Sequence, residues 1–412
     1  MINKAFMYSG ERKDERYSAC LQALWQQLPG LALRLASKHR PGHTAAETSD
    51  LIISSSAVNC FVKFEDNLCV IVRFAIPCSY SSHFCNEKSS DEISVMRYLA
   101  RTTIIPVPAI LDEGTWNRSS YNITQHIKGS PLSNRLRPSL LLNSKPELER
   151  VYHCMAQVML ELSKPTFPQI GALVQFPNKT FTTASEYFTD LATQQLHHLH
   201  NQRDTGLLDA DDWKEKYIAR CMFRPIARTL STEPGPFRLY CDDFSPANIL
   251  VSPDDNTTDD FTVVGVTNWE FTYVAPNEFT YTAPWWLLFQ TPHGWEQDLL
   301  QFQTQETPYL NLFLRVLRSC EDREIQKGAM EDSQRLSCRM ADSMDNGLFW
   351  FCLAVRKSYL FDDIYWTYLD RKFFAPFASL DDRLELLSVE EREDMEGFVM
   401  PDDDNRKGDG KR

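Results

Sequence analysis

Glycine is scarce in this chain and poorly placed for the common phosphate-binding loops. Only 15 of the 412 residues are glycine, and the one G-x-G spacing is Gly408 and Gly410, near the end of the chain. Both the G-x-G-x-x-G dinucleotide fingerprint and the G-x-x-x-x-G-K-[ST] phosphate loop are therefore missing. These two glycine-dependent routes to nucleotide binding are excluded.

Positive charge is also in short supply. The chain has 43 Lys and Arg against 56 Asp and Glu, which gives a formal net charge of −13. Nucleic-acid phosphates require a positive face, so this balance argues against a nucleic-acid partner. The composition, 43% hydrophobic and 12% aromatic, supports a sizeable core, and a chain of this length is expected to form two lobes or domains.

Paired cysteines and long apolar segments are missing as well. The 11 cysteines include no C-x-x-C pair, which argues against a zinc knuckle or a redox dithiol. The longest strongly apolar run, 348–355, is too short to span a bilayer, and the N-terminal segment lacks the apolar stretch of a signal peptide. We therefore expect a cytoplasmic protein without a membrane partner, whose cysteines are reduced and buried.

Hydrophobic periodicity divides the chain into segments. Residues 1–44 are predicted to form a helical extension. Residues 45–128 are predicted to form a small lobe of strands around one helix from Asp91 to Arg101, with a tight turn between two strands at Asp66 and Asn67. From 129 to 395 the periodicity is mostly helical and includes one predicted helix through residues 340–358, and 396–412 is a charged tail. The predicted fold class is α+β, with a small strand-rich lobe followed by a larger helical one.

Strand patterns interrupt the helical part between residues 237 and 270. NILV at 248–251 and FTVVGV at 261–266 flank a loop of turn-forming residues, and this pattern predicts a hairpin. Antiparallel pairing places Asn248 and Asn268 at the same open end of the hairpin. Asp243 precedes Asn248 in a loop directed to the same end. The spacing therefore predicts that one carboxylate and two side-chain amides lie together at the open end of the hairpin.

Together with its flanks, this stretch resembles the aminoglycoside phosphotransferase/choline kinase-like family, and its fungal branch in particular. The similar segments are FRLYCDDFSPANILV and VTNWEFTYVAPNEFTYTAPWWLL, with support from ISVMRYLARTTIIPVPAI, ELSKPTFPQIGAL, TTASEYF and KSYLFDDIYW. The resemblance extends from about residue 50 to residue 375. It implies a protein kinase-like two-lobe fold and ATP-dependent phosphorylation of a small-molecule hydroxyl, with ATP and Mg²⁺ as cofactors. Which small molecule accepts the phosphoryl group, and the oligomeric state, stay open.

The resemblance also implies roles for individual residues. Asp243 corresponds to the catalytic base and Asn248 to a metal ligand, both within a catalytic loop at 241–250. Arg73 stands where the family has a phosphate-contacting Lys, and Glu92 corresponds to the helix residue that pairs with it. The other implied cofactor-binding residues are Ser55 and Ser56 in the phosphate-covering segment, which has no glycine, and Gln125 and Ile127 beside the adenine.

Two positions depart from the family pattern. Cys241 stands where many members have a His that orients the loop. Asn268, in the metal loop at 266–271, replaces the Asp that is the principal Mg²⁺ ligand, and an amide oxygen contributes no negative charge. Glu270 is the nearest carboxylate that could compensate. Two functions therefore stay open: a phosphotransferase weakened at Asn268, or a pseudokinase that binds a nucleotide, a metabolite or a partner without turnover.

Plainer interpretations stand beside these assignments. Asp243 and Asn248 can be ordinary turn residues, and Asn268 can be a structural amide at the end of a strand. Arg73 and Glu92 can form a surface ion pair of little energetic weight.

Three further groups of residues invite functional hypotheses. His197, His198 and His200 suggest a metal cluster, but an amphipathic helix that happens to contain histidines explains them better. Asp362 and Asp363, followed by Tyr365 and Trp366, could hold a cationic acceptor, although a helix cap is the plainer explanation. Trp285 and Trp286 are predicted to be core anchors.

Overall fold

The structure is a computed structural model. It describes residues 15–49, 51–53, 57–76, 82–116, 119–136, 145–173, 179–203, 210–230, 235–252, 262–288, 299–374, 376 and 379–399. Ser55 and Ser56, two residues of the predicted phosphate-covering segment, lie outside these described residues.

The strand-rich lobe is built on one antiparallel sheet. Its strands are β1 (Ala45–Thr48), β2 (Ile52–Ile53), β3 (Ala57–Phe64), β4 (Cys69–Ala75), β5 (Ile110–Trp116) and β6 (Ser119–Gln125). The strand order is β1-β3-β4-β6-β5, and β2 pairs with β3. Strands β3 and β4 alternate between buried and less buried residues, as expected for a sheet with one face on the core. Helix α1 (Glu15–His39) covers that face with Leu28 and Leu31.

Helix α2 (Ser82–Thr102) connects the sheet to the rest of the molecule. It contacts strands of the sheet, and it also buries Val95, Met96 and Leu99 in the large core that continues through the helical lobe. The sequence predicted this helix only from residue 91. Strand β5 was not predicted at all, because its residues ILDEGTW show weak strand character and follow two prolines.

The larger lobe is mainly helical. Its helices are α3 (Lys145–Ser163), α4 (Ala184–Arg203), α5 (Ala210–Leu230), α6 (Asn277–Thr280), α7 (Leu299–Gln326), α8 (Leu336–Asn346), α9 (Leu348–Arg356), α10 (Phe361–Ile364), α11 (Asp370–Phe373), α12 (Leu380–Leu384) and α13 (Val389–Val399). Aromatic side chains fill its centre; the rings of Phe223 and Phe351, for example, stack with centroids 4.7 Å apart. The predicted α+β arrangement of a strand-rich part and a helical bulk is confirmed.

Two small sheets lie in the helical lobe and carry the candidate site. Strands β7 (Ser130–Pro131), β10 (Ile249–Val251) and β11 (Val263–Val266) form one, in the order β11-β10-β7. The other consists of β8 (Thr166–Phe167), β9 (Phe237–Cys241) and β12 (Thr272–Ala275), in the order β12-β9-β8. All pairs are antiparallel. The loop after β9 therefore lies beside the loop between β11 and β12.

Local chemistry explains where several helices end. The sequence predicted one helix through residues 340–358, but Gly347 adopts φ 87° and separates α8 from α9, because only glycine enters this left-handed region without strain. Helix α8 begins at a carboxylate from another helix. The buried Glu321 accepts hydrogen bonds from the backbone amides of Leu336 (2.7 Å) and Ser337 (2.9 Å).

Two further features concern the described helices and cysteines. No helix among them is both long and apolar enough to cross a membrane. Eight cysteines whose side chains the structure describes are free, and six of them are buried, namely Cys60, Cys154, Cys221, Cys241, Cys320 and Cys352. The burial of these six agrees with the prediction that the cysteines act as small apolar residues.

Candidate active site

The hairpin predicted around residues 248–266 is present. Ile249 pairs with Val266, and the backbone N–H of Thr267 donates to the carbonyl oxygen of Asn248 at 2.9 Å. Asn248 and the residues that follow β11 therefore meet at one end of the ribbon, as the antiparallel register requires.

Asp243 joins both asparagines at this end. The side-chain amide of Asn248 donates to the backbone carbonyl of Asp243 at 2.7 Å, and the amide of Asn268 donates to the Asp243 carboxylate, Nδ2 to Oδ2, at 3.1 Å. All three side chains are half-buried. The structure thus brings together Asp243, Asn248 and Asn268, which the sequence predicted to lie at one end of the hairpin, and Asn268 contacts Asp243 directly.

Asn268 has an unusual backbone conformation, which directs its side chain toward Asp243. Its φ of 61° lies in the left-handed region, which asparagine tolerates better than most residues, and Phe271 has a similar φ of 63°. Between them, the indole N–H of the buried Trp269 donates to the carbonyl of Val266 at 2.9 Å. The turn is therefore held by its own buried tryptophan, which leaves the Asn268 side chain to face Asp243.

Cys241 occupies the end of β9 beneath this turn. It is buried, and its Sγ lies 4.0 Å from the carbonyl oxygen of Asn268. A thiol is a weak hydrogen-bond donor, so Cys241 supports the loop mainly by packing.

Arg73 pairs with two glutamates at the junction of the lobes. Its Nε lies 3.4 Å from Glu92 on α2, and its Nη2 lies 2.9 Å from Glu270, which follows Trp269 in the helical lobe. The side chains are 18% exposed for Arg73 and 7% for each glutamate, so the group is not a surface ion pair. Burial alone would lower the pKa of the Arg73 guanidinium, but the nearby Glu92 and Glu270 raise it above its ordinary value.

The position of Glu270 decides what it can do for a metal. The sequence suggested Glu270 as a carboxylate that could compensate for Asn268. Its Oε2 instead forms the ion pair with Arg73, and the residue is only 6% exposed. A carboxylate engaged in this way is a poor replacement for a metal-binding Asp.

Gln125 and Ile127 flank the connection between the lobes. Gln125 is the last residue of β6 and is exposed, whereas Ile127 is half-buried. The Ile127 side chain packs so closely on Gly265 of β11 that a Cβ there would lie 2.6 Å from its Cδ1. Ile127 therefore faces the strand that leads to Asn268, while Gln125 lies at the edge of this region.

Sequence reasoning missed a buried network directly behind Asp243. Asp242 is buried and contacts Arg356 of α9 (3.4 Å) and the hydroxyl of Tyr273 (3.4 Å), and Arg356 also donates to the hydroxyl of Tyr240. Burial alone would lower the pKa of Arg356, but Tyr240 and Asp242 raise it. The sequence signal for this network was the adjacent pair Asp242 and Asp243. Two neighbouring aspartates in one loop can point in opposite directions, so one can lie in the site and the other in the core.

The other candidates have structural explanations. Asp362 forms a two-pronged ion pair with Arg220 of α5, at 2.5 and 3.2 Å, rather than a helix cap. Trp286 is buried against Tyr152 and Phe313, as predicted for a core anchor, whereas Trp285 is only partly buried. The three histidines lie along α4, and His200 is 3.8 Å from Asp394. Among the described residues, no group of three or more His, Cys, Asp or Glu could hold a metal ion.

Comparisons with known proteins show likeness to solved kinases and phosphotransferases. A protein described as a fructosamine-3-kinase from Thermobifida fusca is similar over 82% of this chain and 98% of its own, at 14% identity and a TM-score of 0.47. An aminoglycoside-3'-phosphotransferase of type VIII is similar over 77% and 98%, at 16% identity and a TM-score of 0.41. A macrolide 2'-phosphotransferase from Brachybacterium faecium is similar over 85% and 99%, at 12% identity and a TM-score of 0.41.

No protein-family model matches the chain, and no curated protein matches it.

Proposed function

We propose that this protein is a phosphotransferase that moves the terminal phosphoryl group of ATP to an alcohol hydroxyl of a small molecule, with a rate reduced by Asn268. The observation that carries the proposal is the cluster of Asp243, Asn248 and Asn268 at one end of the β10–β11 hairpin. A carboxylate beside two amides suits a site where a hydroxyl loses its proton and phosphate oxygens are held.

The chemical step assigns one role to Asp243. Its carboxylate accepts the proton of the acceptor hydroxyl while that oxygen forms a bond to the terminal phosphorus. The bond between this phosphorus and the bridging oxygen breaks, and ADP leaves with the bonding electrons. Catalysis of this kind depends mostly on positioning and charge stabilisation, so the geometry around Asp243 matters more than covalent chemistry.

Magnesium fits this site only as part of the substrate Mg·ATP. Each asparagine uses its NH₂ group toward Asp243, so its carbonyl oxygen is the atom able to bind a cation. These neutral oxygens can complete a coordination shell made largely of phosphate oxygens, but they do not attract an isolated Mg²⁺ strongly. We therefore expect the metal to arrive with the nucleotide and to be held less tightly than by a carboxylate.

Arg73 is suited to contact the phosphates. Its ion pairs use Nε toward Glu92 and Nη2 toward Glu270, and a guanidinium has five N–H donors. Nη1 is not used in these pairs and can donate to a phosphate oxygen. The two glutamates hold the guanidinium in place, and their two negative charges exceed its single positive charge, which lowers its attraction for an anion.

The second candidate function is that of a pseudokinase, a binding protein without turnover. Two observations favour it: the Asn268 amide already occupies an oxygen of the Asp243 carboxylate, and Glu270 is paired with Arg73. In both contacts, a group that a catalytic site would direct to its substrate is bound by another side chain of the protein. These groups are the Asp243 carboxylate and the Arg73 guanidinium.

Phosphoryl transfer in three variants separates the two functions. ADP release would be followed with Mg²⁺ or Mn²⁺, with water and a panel of polyols and amino sugars as acceptors. For a phosphotransferase, Asp243→Asn lowers the native rate by about a hundredfold or more, as expected for loss of a general base. Asn268→Asp raises the rate and lowers the metal concentration needed.

The matched control is Asp342→Asn, because this exposed aspartate of α8 undergoes the same carboxylate-to-amide change away from the site. It should retain the native rate. A native protein without turnover, in which activity emerges only with Asn268→Asp, contradicts the phosphotransferase and supports the pseudokinase. Binding of ATP alone does not discriminate, since both functions allow it.

A further inference from the structure

A cavity of about 660 Å³ lies outside the candidate active site. Its walls come from α3, α7, the segment after α2 and the start of β11, and include neither Asp243 nor Arg73. Its size is typical of sites for small organic molecules. We propose that this cavity binds an amphipathic anion, a small molecule with an apolar body and one acidic group. This inference goes beyond the proposed function and does not depend on it.

The charge that selects an anion comes mainly from two arginines. Arg150 of α3 lines the cavity, and its Nε is buried without a hydrogen-bond partner in the described structure. Arg323 of α7 also lines it, and its Nη1 lies 2.9 Å from Nε2 of the uncharged His153 ring. Within the described part of the chain, no carboxylate lies within ion-pair distance of either guanidinium. An anionic oxygen would satisfy the buried Nε of Arg150, whose unmade hydrogen bond is otherwise costly.

The acidic residues at the cavity are already neutralised. Glu324 accepts from Lys164 and from Lys327, each at 2.9 Å, and Lys164 also pairs with Glu161. Hydrogen bonds from these lysines lower the pKa of Glu324, so it is ionised and matched in charge. The two glutamates and two lysines cancel, which leaves the charges of Arg150 and Arg323 uncompensated.

His153 does not add positive charge. Burial and the neighbouring Arg323 lower its pKa, and its Nε2 is the acceptor for the Arg323 guanidinium. The ring is therefore neutral at pH 7 and orients Arg323 instead of opposing it.

The remaining wall is apolar and favours a hydrocarbon body. Buried Ile105, Val158 and Leu160 contribute to it. The thiols of Cys154 and Cys320 belong to the same wall, and burial raises the pKa of each to about 11, so both are protonated and behave as apolar groups. A ligand without an acidic group would leave the two arginines without a counter-charge, and a ligand without a hydrocarbon body would leave the apolar wall without a contact.

Octanoate and octan-1-ol test both halves of this inference, because they share a hydrocarbon chain and differ in the acidic group. Isothermal titration calorimetry should show one octanoate per chain, and octan-1-ol should bind about tenfold more weakly or worse. Arg150→Gln should weaken octanoate by about tenfold or more and leave octan-1-ol unchanged. Gln157→Trp, which places an indole at an exposed position of the cavity wall, should block both ligands without changing any charge.

Arg228→Gln is the matched control, since Arg228 is an exposed arginine near the end of α5 and does not line the cavity. It should bind octanoate like the native chain. Circular dichroism and the thermal midpoint establish that each variant is folded; if Arg150→Gln fails that check, Gln157→Trp and the comparison of octanoate with octan-1-ol still decide. The inference is overturned if octanoate does not bind, if it binds no better than octan-1-ol, or if Gln157→Trp leaves its affinity unchanged.

Discussion

Asn268 satisfies two local requirements at once. Its left-handed backbone, with φ 61°, favours asparagine, and its amide donates to the Asp243 carboxylate at 3.1 Å. Aspartate also tolerates this backbone conformation, but it cannot donate that hydrogen bond. The amide therefore holds the Asp243 carboxylate through a hydrogen bond that an aspartate at position 268 could not donate.

Asn268→Asp should make the stability of the protein depend on a divalent metal. Two half-buried carboxylates about 3 Å apart repel one another, so without metal we expect the free energy of unfolding to fall by about 1–3 kcal/mol at pH 7. Millimolar Mg²⁺ should restore most of it, because the ion binds the folded state preferentially. Urea unfolding with EDTA and with Mg²⁺ measures both effects.

The control for this experiment is Asn346→Asp, an equivalent change at the exposed end of α8. Its stability should be nearly independent of Mg²⁺. Equal stability of Asn268→Asp with and without Mg²⁺ would mean that residue 268 does not lie close enough to Asp243 to form a metal site.

At the scale of elements, a buried ion pair joins β9 to α9. Asp242 follows β9, and Arg356 ends α9; their side chains are 3% and 2% exposed. Because Asp242 and Asp243 are neighbours, this pair also determines the direction in which the loop presents Asp243. We therefore expect this buried network to help position Asp243.

Arg356→Leu should destabilise the protein strongly. It leaves Asp242 buried without its cationic partner, a change that typically costs about 3–5 kcal/mol. Adding Asp242→Asn should recover a large part of the loss, because the uncompensated charge is then removed. Urea unfolding of the two single variants and the double variant measures the coupling.

Arg371→Leu provides the comparison, since Arg371 is exposed on the short helix α11. Its free energy of unfolding should change by less than about 0.5 kcal/mol. Additive effects of Arg356→Leu and Asp242→Asn would show that the two side chains do not interact.

Periodicity predicted most long elements because it reports which face of each is buried. Asp66 and Asn67 indicated the β3–β4 turn, and Asn67 indeed has φ 65°. Strand β5 escaped prediction because its pairing with β6, and not its own residues, determines its conformation. At Gly347 the cause is local. The left-handed backbone of this glycine ends the helix, although the apolar pattern continues through it.

For the whole molecule, Arg73 is the side chain that ties the lobes together at the site. It extends from the sheet to Glu92 on α2 and to Glu270 in the helical lobe. The same contacts that position the guanidinium therefore also connect the two lobes, so we expect the stability of this arrangement to depend on Arg73.

Arg73→Gln should lower the free energy of unfolding by about 2–4 kcal/mol, because the nearly buried Glu92 and Glu270 lose their cation. This loss is smaller than for a fully buried ion pair because water reaches part of the Arg73 side chain. Arg73→Lys should recover part of the loss but reach only one glutamate well, since lysine lacks the forked geometry of arginine. Urea unfolding, with limited proteolysis to detect separation of the lobes, measures the effect.

The chain offers a matched surface pair as control. Arg97 and Glu113 lie 3.1 Å apart, with side chains 49% and 43% exposed. Arg97→Gln should change the free energy of unfolding by less than about 1 kcal/mol, because water screens such a pair. Similar losses for Arg73→Gln and Arg97→Gln would show that the contact between the lobes adds little.

The sequence alone determined the features that depend on neighbouring residues. The β10–β11 hairpin and the meeting of Asn248 with Asn268 follow from turn chemistry and antiparallel register over a short segment. Only the tertiary structure decided that Glu270 pairs with Arg73, 197 residues away, and that Arg150 and Arg323 face one cavity. Such contacts join segments distant in the chain, and their partners are selected by how the lobes and helices pack, which no local pattern specifies.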